Sequence, residues 1–478
     1  MMFYKHLFMR YISRLFALFA AMFITSCAVV GPNYVSPKTK VSENWSTKLE
    51  DGLNAEQTDP NTLAKWWTTI NDPELTSIIE RAKSNNLDIK SAIARVRESR
   101  ARRGIAEASL YPDLNVSGSA TKSRTRDVTD TSSLYSANFD AGWELDIFGG
   151  VRRSVEASNA DLQTTQENLY DVLVSLLAEV AVNYVDVRTY QARLASVQES
   201  IELQAETYQL TVWRAQAGLN DELAVQQARY NLESSRSQIP ALRSGLAQSM
   251  NSLAVLLGEE PGNLRQELEK TEQIPVAPAD VAVGVPADII RRRPDIRSAE
   301  RSLAAQTARI GVATASLYPS FTLSGSIGLD ALSLSDLSSG SWTLSGGPRF
   351  SWPIFDAGAI RQNINAQYAV TEQYLLQYKS VVLAALQEVE NALISYAQEQ
   401  QRRENLQQAA QAAQTAAGLA RQEFEVGLVD FTTVLDTQRS VLSFQDQLAQ
   451  SNGAVTSDLI RLYKALGGGW NSLAPNEY

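Results

Sequence analysis

The sequence predicts a mixed α/β membrane protein, mainly α, built on a two-fold internal repeat with four strands in each chain. Three observations carry that expectation. Motifs recur at a near-constant displacement, two proline-free stretches carry helical periodicity, and four short runs alternate apolar with polar residues.

The repeat comes first because it sets the architecture. Gly104-Ile-Ala-Glu-Ala-Ser-Leu-Tyr-Pro112 returns as Gly311-Val-Ala-Thr-Ala-Ser-Leu-Tyr-Pro319, displaced by 207. Leu87-Asp-Ile-Lys-Ser-Ala92 returns as Pro294-Asp-Ile-Arg-Ser-Ala299, and Ile147-Phe148 as Ile354-Phe355, at the same displacement. Ala217-Gly218-Leu219 matches Val426-Gly427-Leu428 at 209. A unit of about 200 residues excludes a short-period solenoid.

Helices follow from proline and periodicity. No proline occurs from Asp113 to Ile239 or from Ile354 to Ala474, and proline breaks helix interiors. Apolar residues recur at steps of three and four through Leu169, Val172, Leu176, Val180, Tyr184 and Val187, and again through Leu375, Tyr378, Val382, Leu386, Val389 and Leu393. That spacing marks amphipathic helices with a narrow, coiled-coil-like seam. Val151 to Ala217 predicts 67 residues of helix, roughly 100 Å at about 1.5 Å per residue. Half-length helices are expected at Pro73–Ala108, from Asp221 towards Leu257, at Ala287–Ser316 and at Asp430–Leu466.

Strands follow from strict alternation. Tyr135, Ala137, Phe139, Ala141, Trp143, Leu145 and Ile147 interleave with Ser136, Asn138, Asp140, Gly142, Glu144 and Asp146. Strands are expected at about 113–123, 134–148, 319–330 and 342–355. Ten or more residues with one apolar and one polar face fit transmembrane barrel strands, although a half-buried soluble hairpin alternates equally well. Four strands cannot close a membrane barrel, and lipid tolerates no open edge. A barrel must therefore be shared: two chains give eight strands around a filled interior, and three give twelve around a lumen.

Composition removes other functions. A net charge of −10 and a pI near 5.0 argue against a nucleic-acid partner. One Cys and one His allow neither an internal disulfide nor an ordinary zinc site. Lys5, Arg10 and Arg14 precede the apolar run Leu15–Ile24, the pattern of a secretory signal over residues 1–26. It stops at Ile24-Thr25-Ser26-Cys27, which resembles a bacterial lipobox, so Cys27 is the expected lipidation site and Ala28 resembles a signal for outer-membrane sorting. Cleavage there removes His6 and takes the net charge from −10 to −13 through loss of those three cations. No catalytic, metal or cofactor set is expected: Gly467–Gly469 lacks the following Lys and reads as a helix stop, and no nucleophile elbow is present. Arg291, Arg292 and Arg293 read as a solvated or ion-paired set, and Trp66-Trp67 as aromatic packing.

Val285-Pro-Ala-Asp-Ile-Ile-Arg-Arg-Arg-Pro-Asp-Ile-Arg-Ser-Ala-Glu300 resembles the central motif of TolC-like outer membrane efflux proteins, in particular the NodT/OprM-type lipoproteins of RND efflux systems. Gly31-Pro-Asn-Tyr34, Trp66 with Asn71-Asp-Pro-Glu-Leu75, and Leu462-Tyr-Lys-Ala-Leu-Gly-Gly-Gly-Trp470 extend the likeness over the mature chain. The resemblance implies a homotrimer with a twelve-stranded outer-membrane barrel, continuous with a long helical periplasmic barrel and an equatorial collar. It implies a periplasmic adaptor protein and an inner-membrane RND pump as partners, with the outer membrane lipid around the strands. On this division residues 27–72 form the lipidated segment and collar. Residues 73–284 form the first repeat, with collar 258–284 and a hairpin tip near 218, and 285–466 the second, with a tip near 427. Residues 467–478 are a tail.

The resemblance also assigns site residues. Gly218, Leu219, Gly427 and Leu428 are the expected adaptor-contacting tips. An arginine that gates distant members two positions after the second Gly is Val429 here, and the position facing it is Ala224. Asp436 matches an aperture aspartate, and Thr433 stands where a second would be. Phe424, Asp430 and Asp436 are the gate candidates, with closure expected from packing by Phe424 and Leu428. The expected function is a passive export duct for small molecules. A non-transport trimeric coiled-coil lipoprotein and the outer component of another export system are the alternatives.

Overall fold

The computed structural model describes residues 29–50, 52–56, 59–124, 131–276, 278 and 281–470. Cys27 and the signal segment lie outside these residues, as does the side chain of Arg291. The principal elements are α1 (Pro73–Asn85), α2 (Leu87–Ala108), β1 (Asp113–Ser123), β2 (Ser132–Leu145), α3 (Gly150–Gln216), α4 (Glu222–Arg236) and α5 (Gln238–Leu256). They are followed by α6 (Pro286–Arg292), α7 (Pro294–Ala315), β3 (Ser320–Ala331), β4 (Ser341–Ser351), α8 (Ala359–Glu425) and α9 (Phe431–Ala465). α3 and α8 are each 67 residues long.

Two compact units form, and neither is a sequence repeat. One holds the segment ending at Lys38, Arg95–Gln166 and Ser298–Ser380; the other holds Thr39–Ala94, Glu167–Arg297 and the chain from Val381. Each repeat contributes to both because its long helix runs through both.

In the first unit the strands form one antiparallel sheet in the order β1-β2-β3-β4. β2 stops at Leu145 and β4 at Ser351, short of the expected 148 and 355. Capping explains both corrections. The Asp146 carboxylate accepts from the Val151 and Arg152 amides at 3.0 and 2.9 Å, and the Asp356 carboxylate from the Gly358 and Ile360 amides at 2.9 and 2.7 Å. These residues start α3 and α8 instead of continuing a ladder, and Pro353 has no N–H to donate. The Asp356 bonds hold its carboxyl below the usual range. The repeated Ser-Leu-Tyr-Pro motif forms the matching helix-to-strand junctions. Trp143 Nε1 donates to the Leu110 carbonyl at 2.9 Å, and Trp352 Nε1 to the Leu317 carbonyl at 3.0 Å.

An N-terminal strap is bolted to the helices of this unit. Arg153, buried, donates to the carbonyls of Val30 and Gly31 and to Asn33 Oδ1. Tyr34 packs on Ala160, Ala304 and Ala305 beneath the Arg301 guanidinium, and its hydroxyl donates to Glu300 at 3.0 Å.

The second unit has a polar core beside its apolar one. Asp72 caps α1, accepting from the amides of Glu74 and Leu75 at 2.9 Å. Its other oxygen accepts from the Tyr184 hydroxyl at 2.9 Å. Arg188, 1% exposed, pairs with Glu74 and donates to Gln191 and to the Lys270 carbonyl. Burial raises the Glu74 carboxyl and Tyr184 phenol above their ordinary values. Trp66 and Trp67 are buried, with Trp66 stacked on Tyr463 at 5.6 Å. Arg293 bridges Asp295 and Glu388 at 2.8 and 2.6 Å and donates to the Ala465 carbonyl, so it is an ion-paired structural residue. α9 ends where the Gly467 amide donates to Lys464 and the Gly468 amide to Tyr463, the helix stop expected of the glycine run.

Candidate functional site: the open-edged sheet and the helical tips

The sheet register sorts its residues by face. Val116, Phe139, Ile327 and Leu344 lie opposite one another across all four strands, and so do Asn115, Asp140, Ser326 and Ser345. The whole apolar row is solvent-exposed in the single chain. Its neighbours on the same face include Trp143, Leu323 and, one row further, Phe350. The polar face carries serines and acids, with Ser117 donating to Asp140 at 2.5 Å. β1 and β4, 11 residues each, are edge strands with no partner on their outer sides among the described residues. A sheet with an exposed apolar face and two open edges is unfinished on both counts.

Both helical hairpins turn by the same device. At the first, the Gly218 amide donates to Ala215 and the Leu219 amide to Arg214. At the second, the Gly427 amide donates to Phe424 and the Leu428 amide to Glu423. These paired bonds close a helix through a left-handed residue, and Gly218 and Gly427 have φ of 73° and 79°. The turns leave Leu219 69% and Leu428 75% exposed. Asp221 starts α4 by accepting from the Ala224 amide at 2.9 Å. Asp430 occupies the equivalent position before α9, exposed, with its side chain making no cap bond.

Behind the turns the two hairpins share a small core. Ala224, Ala228, Phe431 and Leu435 are buried against Tyr208 and Phe424. The Phe424 and Phe431 rings lie 5.3 Å apart, and the Arg214 guanidinium sits 4.7 Å from the Phe424 centroid. Phe424 is thus an internal tip residue, whereas Leu428 is 75% exposed in the single chain. Ala224, where an acid would stand in distant members, is part of this apolar core.

Asp436 is exposed and tied to Arg439 at 3.1 Å. Arg439 donates onward to Asn231 Oδ1 at 2.7 Å and to the Tyr230 hydroxyl, stacking over the Tyr230 ring at 5.0 Å. Sequence reasoning singled out Asp436 and missed Arg439, Tyr230 and Asn231. The Asp-x-x-Arg spacing was a signal for the ion pair, but nothing in the sequence indicated its link to α4. No helix among the described residues is long and apolar enough to cross a membrane.

The comparisons agree with this arrangement. The model of the family described as "Outer membrane efflux protein" matches residues 78–259 and 285–468, one stretch in each repeat. "Nodulation protein T" of Rhizobium leguminosarum bv. trifolii is 35% identical over 465 residues, covering 95% of this chain and 97% of the relative. "Cation efflux system protein CusC" of Escherichia coli is 31% identical, covering 94% and 97%. Among solved structures, the outer-membrane channel OprN superposes with a TM-score of 0.86 at 33% identity, over 93% of this chain and 100% of that one. The likeness thus runs along nearly the full length of the chain, and the chain belongs to the outer membrane efflux protein family.

Proposed function

We propose that the chain is the outer membrane channel of a tripartite efflux system, a passive homotrimeric conduit. It carries small toxic molecules from an inner-membrane RND pump and a periplasmic adaptor across the outer membrane. One observation carries the reading: a four-stranded sheet with an exposed apolar face and two open edges. Three copies joined edge to edge pair every backbone group and give twelve strands, with apolar rows towards lipid and polar rows towards a lumen. Names among the relatives, such as "Toluene efflux pump outer membrane protein" and "Antibiotic efflux pump outer membrane protein", support small organic molecules as cargo.

In this reading residues 1–26 are a signal and Cys27 carries a lipid that anchors the N-terminus. Residues 27–72 belong to the collar, 73–284 and 285–466 are the repeats, and 467–478 are a tail. Leu219 and Leu428 are the apolar knobs that meet the adaptor, with Gly218 and Gly427 making the turns. Phe424, Asp430 and Asp436 line or support the aperture, and opening is a population shift of the tip helices. The Asp436–Arg439 pair supports an aperture whose negative charge is partly offset.

The test is conductance of the purified full-length protein in planar bilayers, with oligomeric state measured by native mass spectrometry. Discrete conductance steps from a trimer are expected. A folded trimer that conducts nothing would identify a coiled-coil lipoprotein and overturn the duct.

A further inference from the structure

The cations of the sheet are few and their register is informative. Among the described strand residues only Lys122 and Arg349 are basic. Arg349 pairs with Thr322 and so belongs to the polar face. Lys122 follows Leu114, Val116, Gly118 and Ala120 at alternate positions of β1, which puts it on the apolar face. Arg124 follows immediately beyond the strand, and both residues are exposed. Neither makes an ion pair or side-chain hydrogen bond among the described residues.

The height of this pair is fixed by pairing. Leu145 stands opposite Phe321, which stands opposite Phe350, and this defines an aromatic row at the helix end of the sheet. Tyr135 stands opposite Ala120 and Ala331 at the hairpin end. Ten residues of β2 separate the two rows, about 33 Å of strand at about 3.3 Å each. At a barrel tilt of about 40° that is roughly 25 Å, the height of an outer-membrane apolar band. Lys122 pairs with Ser133, one row past Tyr135, so it stands just where the band ends. Exposed Leu332 and Leu334 directly follow Ala331 at the same end.

We propose that Lys122 and Arg124 bind the phosphate of a glycolipid in the outer leaflet, with its acyl chains on the apolar face below. The proposal rests on the barrel reading, which puts this face in lipid and the hairpin ends outermost. Charge complementarity selects the occupant. Two cations with no partner among the described residues, at the headgroup level of an otherwise acidic chain, attract a membrane phosphate. A soluble anion in the lumen would meet the opposite, polar face.

The experiment uses the full-length protein in detergent, titrated with bisphosphorylated lipid A, dephosphorylated lipid A or inorganic phosphate. Retained lipid is counted by native mass spectrometry. Bisphosphorylated lipid A should remain bound, and Lys122→Gln with Arg124→Gln should reduce its retention at least fivefold. Lys122→Arg should keep it. Equal retention by wild type and the double variant overturns the proposal, as does equal binding of the dephosphorylated lipid. Competition by equimolar inorganic phosphate would make the site one for free anion and would equally overturn it. Trimer mass and bilayer conductance of the double variant are measured alongside and should be unchanged. Loss of conductance in wild type counts against the duct and leaves the lipid count to be judged separately.

Discussion

Gly31 and Gly311 meet backbone to backbone: a Cβ on Gly31 would lie 2.5 Å from the Gly311 Cα. Gly31 also has φ of 86°, and Arg153 holds its carbonyl. Gly31→Ala therefore meets both a clash and a left-handed backbone. A loss of about 1–3 kcal/mol is expected, read as a lower melting temperature with the oligomer mass unchanged.

The strap has a second fastening with a pH signature. Burial, followed by the charge of Glu300, pushes the Tyr34 phenol up from 10.0 to about 12. A raised folded pKa contributes stability that is complete below pH 10, where the unfolded phenol is also neutral. That contribution is lost as pH rises through 12. Melting temperature plotted against pH should fall across pH 10–12 in the wild type and more shallowly in Tyr34→Phe. Parallel curves would contradict the assignment.

Arg188 holds α3, the start of α1 and the 270–272 segment through one guanidinium. Arg188→Ala leaves Glu74 and the Tyr184 hydroxyl in a buried site without their cation. The expected cost is about 3–5 kcal/mol, seen as poor recovery of folded protein. Arg188→Lys should rescue partially, because an ammonium cannot span Glu74, Gln191 and the Lys270 carbonyl together.

Bulky residues at the tip turns should separate assembly from transport. Gly218→Val and Gly427→Val strain a left-handed position at about 1–3 kcal/mol each. On the proposed function, the oligomer still forms while cells carrying the double variant lose resistance to exported compounds. Full resistance would count against Gly218 and Gly427 as the proposed adaptor contact.

The aperture candidates differ in sign. Asp436→Ala should lower cation preference, seen as a shifted reversal potential across a salt gradient. Arg439→Ala should raise cation preference and, by freeing α9 from Tyr230 and Asn231, increase conductance. Unchanged values in both variants would put the pair off the conduction path.

Much of this was legible in the sequence because the physics is periodic. The 3.6 repeat through Val180, Tyr184 and Val187 marked a buried seam, and all three are fully buried. Period two in β2 located its apolar face without coordinates. The tip glycines were legible because only a left-handed turn demands glycine there. Contacts between distant segments were not. The strap's grip on Glu300, 266 residues from Tyr34, follows from no local pattern. Nor does the Arg439 bond to Asn231, 208 residues away. The strand ends were overrun because alternation continues through Ile147 and Ile354, whereas capping by Asp146 and Asp356 decides where the ladders stop.

α4 and α5 together span residues 222–256 and are broken at Ser237, just before Pro240, whereas α9 spans 431–465 without a break. Both arms nevertheless count 35 positions at an offset of 209, the offset that also relates the two 67-residue helices. One inserted residue would turn everything below it by about 100° and lower it about 1.5 Å, carrying Ala224 and Ala228 away from Phe431. Within these helices, divergence between the duplicated halves has therefore been confined to substitutions. Within these arms the chain behaves as a ruler, open to new letters and closed to insertion or deletion.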